Sequence, residues 1–299
     1  MRTGAAAVSV SSGRWTDFLA LTKPRLNSLV VVTAGVGYLA GQSGDFNPVT
    51  FLNATVGALL VAGGAAALNQ AAEHDIDQVM PRTRNRPLPA GRLQSMDAVA
   101  FGLVLIVGGL AQLAVGASLS AAIVALATLT SYVVIYTPLK RVSHWAALVG
   151  AVPGALPVVI GWAAVAPIDL GAWSLFSVVF IWQLPHFLAL TWMYRDDFAQ
   201  AGLPLLSVVD HTGRRTSTHL LGYCALLVPV SLMPTWAGVV GIPYAIGAGA
   251  LSAGLFGLGI WFTRERSIAR ARTLFRATLL YLPLIWTLLL VDIAGQSTR

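Results

Sequence analysis

The feature that most constrains this chain is a succession of charge-poor apolar runs, each about 20 residues long, repeated from one end to the other. A run of that length crosses about 30 Å of hydrocarbon as a helix, because lipid offers backbone N–H and C=O groups no partner. Apolar windows place nine spans near Leu26–Ala40, Val49–Ala72, Asp97–Val115, Leu119–Tyr136, Trp145–Val165, Ala172–Met193, His219–Trp236, Ile242–Phe262 and Leu274–Ile293. With 56% hydrophobic and 10% charged residues over 299 positions, one soluble core could not hide this much apolar surface. The expected fold is all-α: a polytopic membrane helical bundle of about nine transmembrane helices, with residues 1–299 forming a single integral membrane domain.

Charge alternates sharply between successive connections. Of the 19 Lys and Arg residues, 18 fall in the N-terminal segment or after spans two, four, six and eight, leaving only Arg299 elsewhere. The positive-inside rule puts those segments in the cytoplasm, with residues 1–16 as a short cytoplasmic tail. That tail lacks the continuous apolar stretch of a cleaved signal peptide, so a bacterial inner membrane is expected. The net charge of +7 thus reflects topology, because a nucleic-acid binder gathers its cations on a folded soluble face. The single cysteine, Cys224, lies in an apolar run and rules out both a disulfide framework and a thiolate zinc site.

Two cytoplasmic loops, Glu73–Met96 and Tyr194–Thr218, are longer than turns, and each carries carboxylates where it leaves its helix. Four spans separate them, which suggests two halves of four helices plus a ninth. In the first loop Asn69, Glu73 and Asp77 recur every fourth residue, so on a helix their oxygens line one face while Asp75 points away. One amide and two carboxylates at a hydrated helix end suit Mg²⁺, a hard cation completed by waters and substrate phosphates. A merely solvated helix end accounts poorly for three aligned oxygen donors at the membrane boundary. Beyond them, Pro81, Pro87 and Pro89 enforce a short rigid element on which Arg82 and Arg86 stand about one turn apart, able to clamp phosphate. Arg84 and Arg92 read as topology cations. In the second loop Asp196 and Asp197 are adjacent and face different directions, so one of them is expected at the site centre.

The string Asn69-x₃-Glu73-x₃-Asp77-x₂-Met80-x-Arg82-Thr83-x₂-Arg86-Pro87-Leu88-Pro89 resembles the first signature of the intramembrane UbiA-type prenyltransferases. Within that superfamily the chain is most similar to the branch that farnesylates protohaem IX. The segments that carry this likeness are Lys23-Pro24-Arg25, Tyr136-Thr137-Pro138-Leu139-Lys140-Arg141, Gly154 to Pro157, Gly161 to Ala164, Pro185-His186-Phe187 and Tyr194-Arg195-Asp196-Asp197-Phe198 through Gly202 and Pro204. They cover roughly two-thirds of the chain, and the last three helices add only hydrophobicity. Departures are local: Val158 and Leu184 stand where relatives often have proline, as does Ser207, and Ala146 replaces a frequent asparagine.

The resemblance implies farnesyl transfer from farnesyl diphosphate to a vinyl group of haem b, with water adding a hydroxyl. It implies Mg²⁺ as cofactor, held by Asn69, Glu73, Asp77 and one of Asp196 and Asp197. Lys23, Arg25, Arg82, Arg86, Lys140 and Arg141 would bind the diphosphate, the last four also steadying charge on the leaving oxygen. Tyr132, Tyr136 and Trp182 are candidates for cation–π contact with the allylic cation, and equally for interfacial anchors. His186, a polar ring inside span six, is the candidate haem contact. Farnesyl diphosphate, haem b and the bilayer are the implied partners, with haem A synthase or a terminal oxidase as candidate assembly partners and no nucleic acid. Three rival readings differ by feature. A prenyltransferase for a quinone precursor would have no use for His186, a transporter would carry its acids near the midplane, and a haem carrier would leave the twin acidic loops unexplained.

Overall fold

A computed structural model describes residues 13–297, so most of the expected N-terminal tail lies outside the described residues. Where the description begins, the chain is already helical: α1 (Arg14–Leu21) buries Asp17 and Leu21. The Asp17 carboxylate accepts from Arg92 Nε at 2.8 Å, which gives that arginine a structural partner beyond its topology role.

Among the described residues every regular element is helical. The long helices are α2 (Pro24–Gly41), α3 (Pro48–Ala72), α5 (Ser95–Gly116), α6 (Leu119–Leu139), α7 (Ala146–Ala163), α8 (Leu170–Met193), α10 (Arg214–Trp236), α11 (Ile242–Arg264) and α12 (Ile268–Ser297). Short helices α4 (His74–Val79) and α9 (Arg195–Gln200) follow α3 and α8 in the two acidic loops. Eight of the long helices are long and apolar enough to cross a membrane. The other, α2, matches them in length but opens on Pro24, Arg25 and Asn27, which dilute its apolar character. The nine expected spans and the nine long helices therefore correspond one to one.

Local chemistry sets the boundaries. Pro24 and Pro48 take first helical positions, where a missing N–H costs nothing. Side-chain caps start α3, α6 and α8, with Asn47, Ser118 and Asp169 each accepting from backbone N–H groups of the first turn. Within α6, residues Ser131–Tyr136 widen into a π-helical turn, and the cause lies just beyond it in Pro138. A proline ring collides with the carbonyl four residues back and offers that carbonyl no N–H. That carbonyl is Val134's, and in the widened turn before it the Tyr132 carbonyl accepts from the Thr137 N–H and from Thr137 Oγ1 at 2.9 Å.

Helix pairing shows how the halves meet. One apolar core joins α2, α3, α5 and α6, a second joins α8, α10, α11 and α12, and α7 contributes to both through Ile160 and Ala163 on one side and Val158, Val159 and Trp162 on the other. The division is thus four helices on each side of a shared α7, where the sequence suggested the last helix as the odd one. Lipid provides no hydrophobic drive between helices, so close approach through small residues does the work. A Cβ on Gly37 would lie 1.9 Å from the Val158 carbonyl oxygen, and one on Gly161 would lie 1.8 Å from that of Ala34. Bare backbone therefore meets bare backbone where α2 crosses α7. At one end of the bundle the two acidic loops pack together through Ile76, Met80, Phe198, Leu203 and Leu205 and form a roof.

Candidate active site

Under that roof lies a cavity of about 520 Å³, walled by α2, α3, α6, α7 and α8. Its charged side chains all belong to the roofed end: Lys23, Glu73, Asp77, Arg82, Arg86 and Lys140. Asn69, Glu73 and Asp77 are 2%, 4% and 3% exposed, so their oxygens face inward as the four-residue spacing requires. Glu73 ends α3 and the chain turns into α4, yet the Asp77 N–H still donates to the Glu73 carbonyl at 2.9 Å, which keeps the three in line.

Each acid is matched by a cation from another segment. Arg86 Nη1 reaches both oxygens of Asp77, at 2.9 and 2.7 Å, while Lys140 pairs with Glu73 Oε1. Asn69 donates to Glu73 Oε1 at 2.7 Å and to Thr137 Oγ1 at 3.1 Å, and its Oδ1 accepts from Lys23 Nζ at 3.3 Å. Four cations against two acids leave this lining with a net charge of +2, suited to an anion. Lys23 is held there by a strained backbone. It is the only described non-glycine residue with positive φ, 48°, a conformation that persists where its surroundings over-determine it. Burial, and next the nearby Arg86, push its ammonium pKa down to about 8.

The oxygens of Asn69, Glu73 and Asp77 form an all-oxygen donor set, which fits a hard divalent cation completed by substrate phosphates. No three His, Cys, Asp or Glu side chains converge among the described residues, so such an ion would depend on those additional ligands. Arg82 lines the cavity from the turns that follow α4, its guanidinium 5.5 Å from the ring centroid of Tyr194. The segment from Met80 to Arg92 is a series of turns where the prolines suggested one rigid helical turn, but Arg82 and Arg86 still face the same space.

Other expected site residues stand elsewhere. Arg141 forks onto Asp75, Nη1 to Oδ2 at 3.0 Å and Nη2 to Oδ1 at 2.7 Å, and lies outside the cavity lining. This pairing holds the Asp75 carboxyl below its usual range and keeps it on the outer face predicted for it. Arg25 is exposed at the start of α2, because the turn that aims Lys23 inward sends the next side chains out. Asp196 is 85% exposed beside Arg195 and Asp197 is half-buried; neither lines the cavity, since Phe198 takes the inward position of α9. Trp182 turns away to donate from Nε1 to the Thr278 carbonyl at 2.8 Å. His186 follows it toward α12, stacked between Trp182 and Phe275 with Nδ1 2.8 Å from Thr278 Oγ1. The α8 side chains that face the cavity are Gln183, Phe187 and Leu190, and His186 stands roughly 60° round the helix from Gln183.

Below the charged ring the walls become apolar and small. Val30, Ala58, Val61, Ala62, Ala65, Leu129 and Ile160 line a chamber large enough for a hydrocarbon tail. The phenol rings of Tyr132 and Tyr136 separate the two regions, their centroids 5.6 Å apart with Lys140 Nζ 5.6 Å from that of Tyr136. The π-turn brings both rings to one face, and Gly150 gives Tyr136 room, since a Cβ there would lie 2.5 Å from its ring. Gln183 and Asn27 were not singled out in the sequence, and Thr83 and Thr137 stood in its motifs without a role of their own; only Pro138, after a paired aromatic, hinted at the widened turn.

Residues 30–288 match the UbiA prenyltransferase family. The chain belongs to that family. A relative from Solibacter usitatus (strain Ellin6076), named protoheme IX farnesyltransferase, is 42% identical over 289 residues, spanning 93% of this chain and 99% of the relative. One of the same name from Opitutus terrae is 40% identical over 294 residues, spanning 94% and 96%. Among solved structures, a digeranylgeranylglyceryl phosphate synthase superposes with a TM-score of 0.79 at 15% identity, covering 94% of this chain and 98% of that one. A UbiA homologue from Archaeoglobus fulgidus bound to GPP and Mg²⁺ gives 0.62 at 14% identity, covering 91% and 99%. These two establish the UbiA fold for the bundle, and the relatives establish the family.

Proposed function

We propose that the chain transfers the farnesyl group of farnesyl diphosphate to a vinyl group of haem b, giving haem O and diphosphate. The observation that carries this reading is one cavity with two chemistries. Four cations and three oxygen donors ring its roofed end, an apolar chamber lies below, and relatives 40–42% identical over nearly the whole chain bear the matching name. Asn69, Glu73 and Asp77 would hold Mg²⁺, which when bound neutralises part of the diphosphate charge.

Lys23, Arg82, Arg86 and Lys140 then receive the diphosphate and stabilise the negative charge that grows as the carbon–oxygen bond breaks. Asp77 and Glu73 hold Arg86 and Lys140 beside the site before substrate arrives. The allylic cation left behind lies beside the rings of Tyr132 and Tyr136, whose faces attract positive charge. Apolar walls exclude bulk water until the vinyl carbon attacks. His186 keeps its reading as a porphyrin contact only from the α12 side of α8, outside the cavity lining, where Thr278 engages Nδ1 and Nε2 would be left for a metal. The roofed end is assigned to the cytoplasm and the bundle to a bacterial inner membrane, and supply to a haem A synthase or terminal oxidase would follow from the product.

The test is incubation of the purified protein with haem b, farnesyl diphosphate and Mg²⁺, followed by mass analysis of the porphyrin. A farnesylated, hydroxylated porphyrin is expected. Prenylation of a hydroxybenzoate or naphthoate, with haem b unchanged, would refute the acceptor.

A further inference from the structure

The proposed reaction makes two cations in turn, and the second must meet water inside a chamber built to exclude it. Once the vinyl carbon bonds to the farnesyl carbon, positive charge sits on the neighbouring porphyrin-bound carbon. That centre either loses a proton to give an alkene or bonds to water to give an alcohol. Random entry of water would also destroy the first cation, so a fixed water is required.

The chamber offers few anchors for one. Thr128 Oγ1 is committed to the Val124 carbonyl at 2.7 Å, and Asn27, fixed through Nδ2 to the Thr22 carbonyl at 2.5 Å, sits one turn from Lys23 at the level of the charged ring. Gln183 is placed differently. Its Nε2 donates to the carbonyls of Val179 at 3.1 Å and Ala151 at 3.3 Å, which fixes the amide, while Oε1 accepts no hydrogen bond among the described residues. Oε1 points at α7, where a Cβ on Gly154 would lie 2.0 Å from it, so glycine is what keeps this oxygen in place. Pro153 and Pro157 also line the cavity there, and Pro157 has no N–H to give the Pro153 carbonyl. Both residues line the cavity, so a water held between Gln183 Oε1 and the Pro153 carbonyl would spend both O–H groups on oxygen and turn its lone pair toward the substrate.

The level is also right. Gly154 lies one turn from Gly150, the residue against the Tyr136 ring, or about 6 Å further into the bundle. The cationic carbon lies two bonds beyond the carbon leaving the diphosphate, and a water in contact with it stands further in again, on the Gly154 side of the Tyr136 ring. We propose that Gln183, together with the Pro153 carbonyl, positions the water that captures the second cation, and so determines that the product is an alcohol. The proposal rests on the farnesyl-transfer reading above. In the step, the water oxygen bonds to the cationic carbon and its surplus proton passes to the released diphosphate, which balances charge and atoms.

The experiment is single-turnover reaction with haem b, farnesyl diphosphate and Mg²⁺ in ¹⁸O-labelled water, with both porphyrin products separated by mass. The unsubstituted protein should give the labelled alcohol. Gln183→Leu should shift the product toward the alkene, lighter by one water, lowering the alcohol-to-alkene ratio by about tenfold or more, the ratio that about 1.4 kcal/mol of lost orientation produces. Gly154→Ala, which drives Oε1 from its place, should move the ratio the same way. The proposal is overturned if Gln183→Leu and Gly154→Ala give the alcohol at the original ratio, if Tyr132→Phe alone shifts it, or if both variants bind farnesyl diphosphate yet yield neither product. Absence of any farnesylated porphyrin from the unsubstituted protein would defeat the transfer reading instead.

Discussion

Replacing Gly161 by alanine tests how the fold sets the site. The new Cβ would lie 1.8 Å from the Ala34 carbonyl oxygen and 2.8 Å from the Tyr38 backbone nitrogen, both on α2. Non-bonded heavy atoms settle near 3.5 Å, so α2 and α7 must part by about 1.7 Å, and no flexible side chain can absorb the difference. Overpacking of this kind costs about 1–3 kcal/mol, and backbone against backbone belongs at the upper end. Parting also separates Lys23, which precedes α2, from the Gly150 wall of α7, and a 1 Å misplacement can cost about 100-fold in rate. Gly108→Ala on α5, where nothing lies within 4 Å, is the control and should be neutral or stabilising by about 0.5–1 kcal/mol. Thermal denaturation in detergent and single-turnover farnesyl transfer measure the two effects. Gly37→Ala should resemble Gly161→Ala, and the double variant should be less than additive, because one separation relieves both clashes. Unchanged melting and turnover for Gly161→Ala would refute the direct α2–α7 contact.

Three further expectations concern charge. Glu73→Gln and Asp77→Asn should each lower single-turnover farnesyl transfer by on the order of 100-fold or more, whereas Asp75→Asn, which loses only its exposed pairing with Arg141, should stay near the unsubstituted rate; a reversed order would contradict the inward face of α3 and α4. Because Lys23 titrates at about 8 in the folded protein, the protonated ammonium is present below that pH and lost above it, so affinity for a non-hydrolysable farnesyl diphosphate analogue should fall as pH rises through 8. The analogue's affinity in Lys23→Arg should stay flat over the same range, and a flat profile in both would refute this role. A cysteine at position 90, in a background lacking Cys224, should react with impermeant reagents only in inverted vesicles, and labelling in intact cells would overturn the orientation.

Much of this architecture was legible because membrane helices announce themselves by composition. The apolar runs fixed the number and order of long helices, and the four-residue spacing of Asn69, Glu73 and Asp77 fixed which oxygens face inward even though the chain turns between Glu73 and α4. Arg82 and Arg86 were readable as a pair because proline restricts the segment, although turns rather than a helical turn present them. What escaped the sequence depends on contacts between distant segments. Arg141 shares a motif with Lys140, but adjacent residues point apart, and the partner that claims Arg141 is Asp75, 66 residues away. The second acidic pair looked equivalent to the first by symmetry, yet α9 turns Phe198 inward to pack on Ile76 and Met80. Gln183 was invisible because a single amide in an apolar run carries no periodic signal, and its meaning depends on Gly154 across a helix interface.

The same comparison explains why charge is confined to the roofed end. A buried carboxylate without a partner is costly in a low-dielectric surrounding, and here Glu73 and Asp77 are almost fully enclosed. Lys140 and Arg86 offset that cost, but neither is locked by the rest of the protein: each approaches from a segment outside the helix that carries its acid. A diphosphate entering between them would exchange one anionic partner for another, while a divalent cation on Asn69, Glu73 and Asp77 would replace the positive charge the acids lose. Neither ligand alone satisfies both sides. Metal without diphosphate would crowd like charges around Lys140 and Arg86, and diphosphate without metal would leave the acids beside a second anion. The ion pairs would therefore couple the two binding events, so that binding of either ligand favours the other.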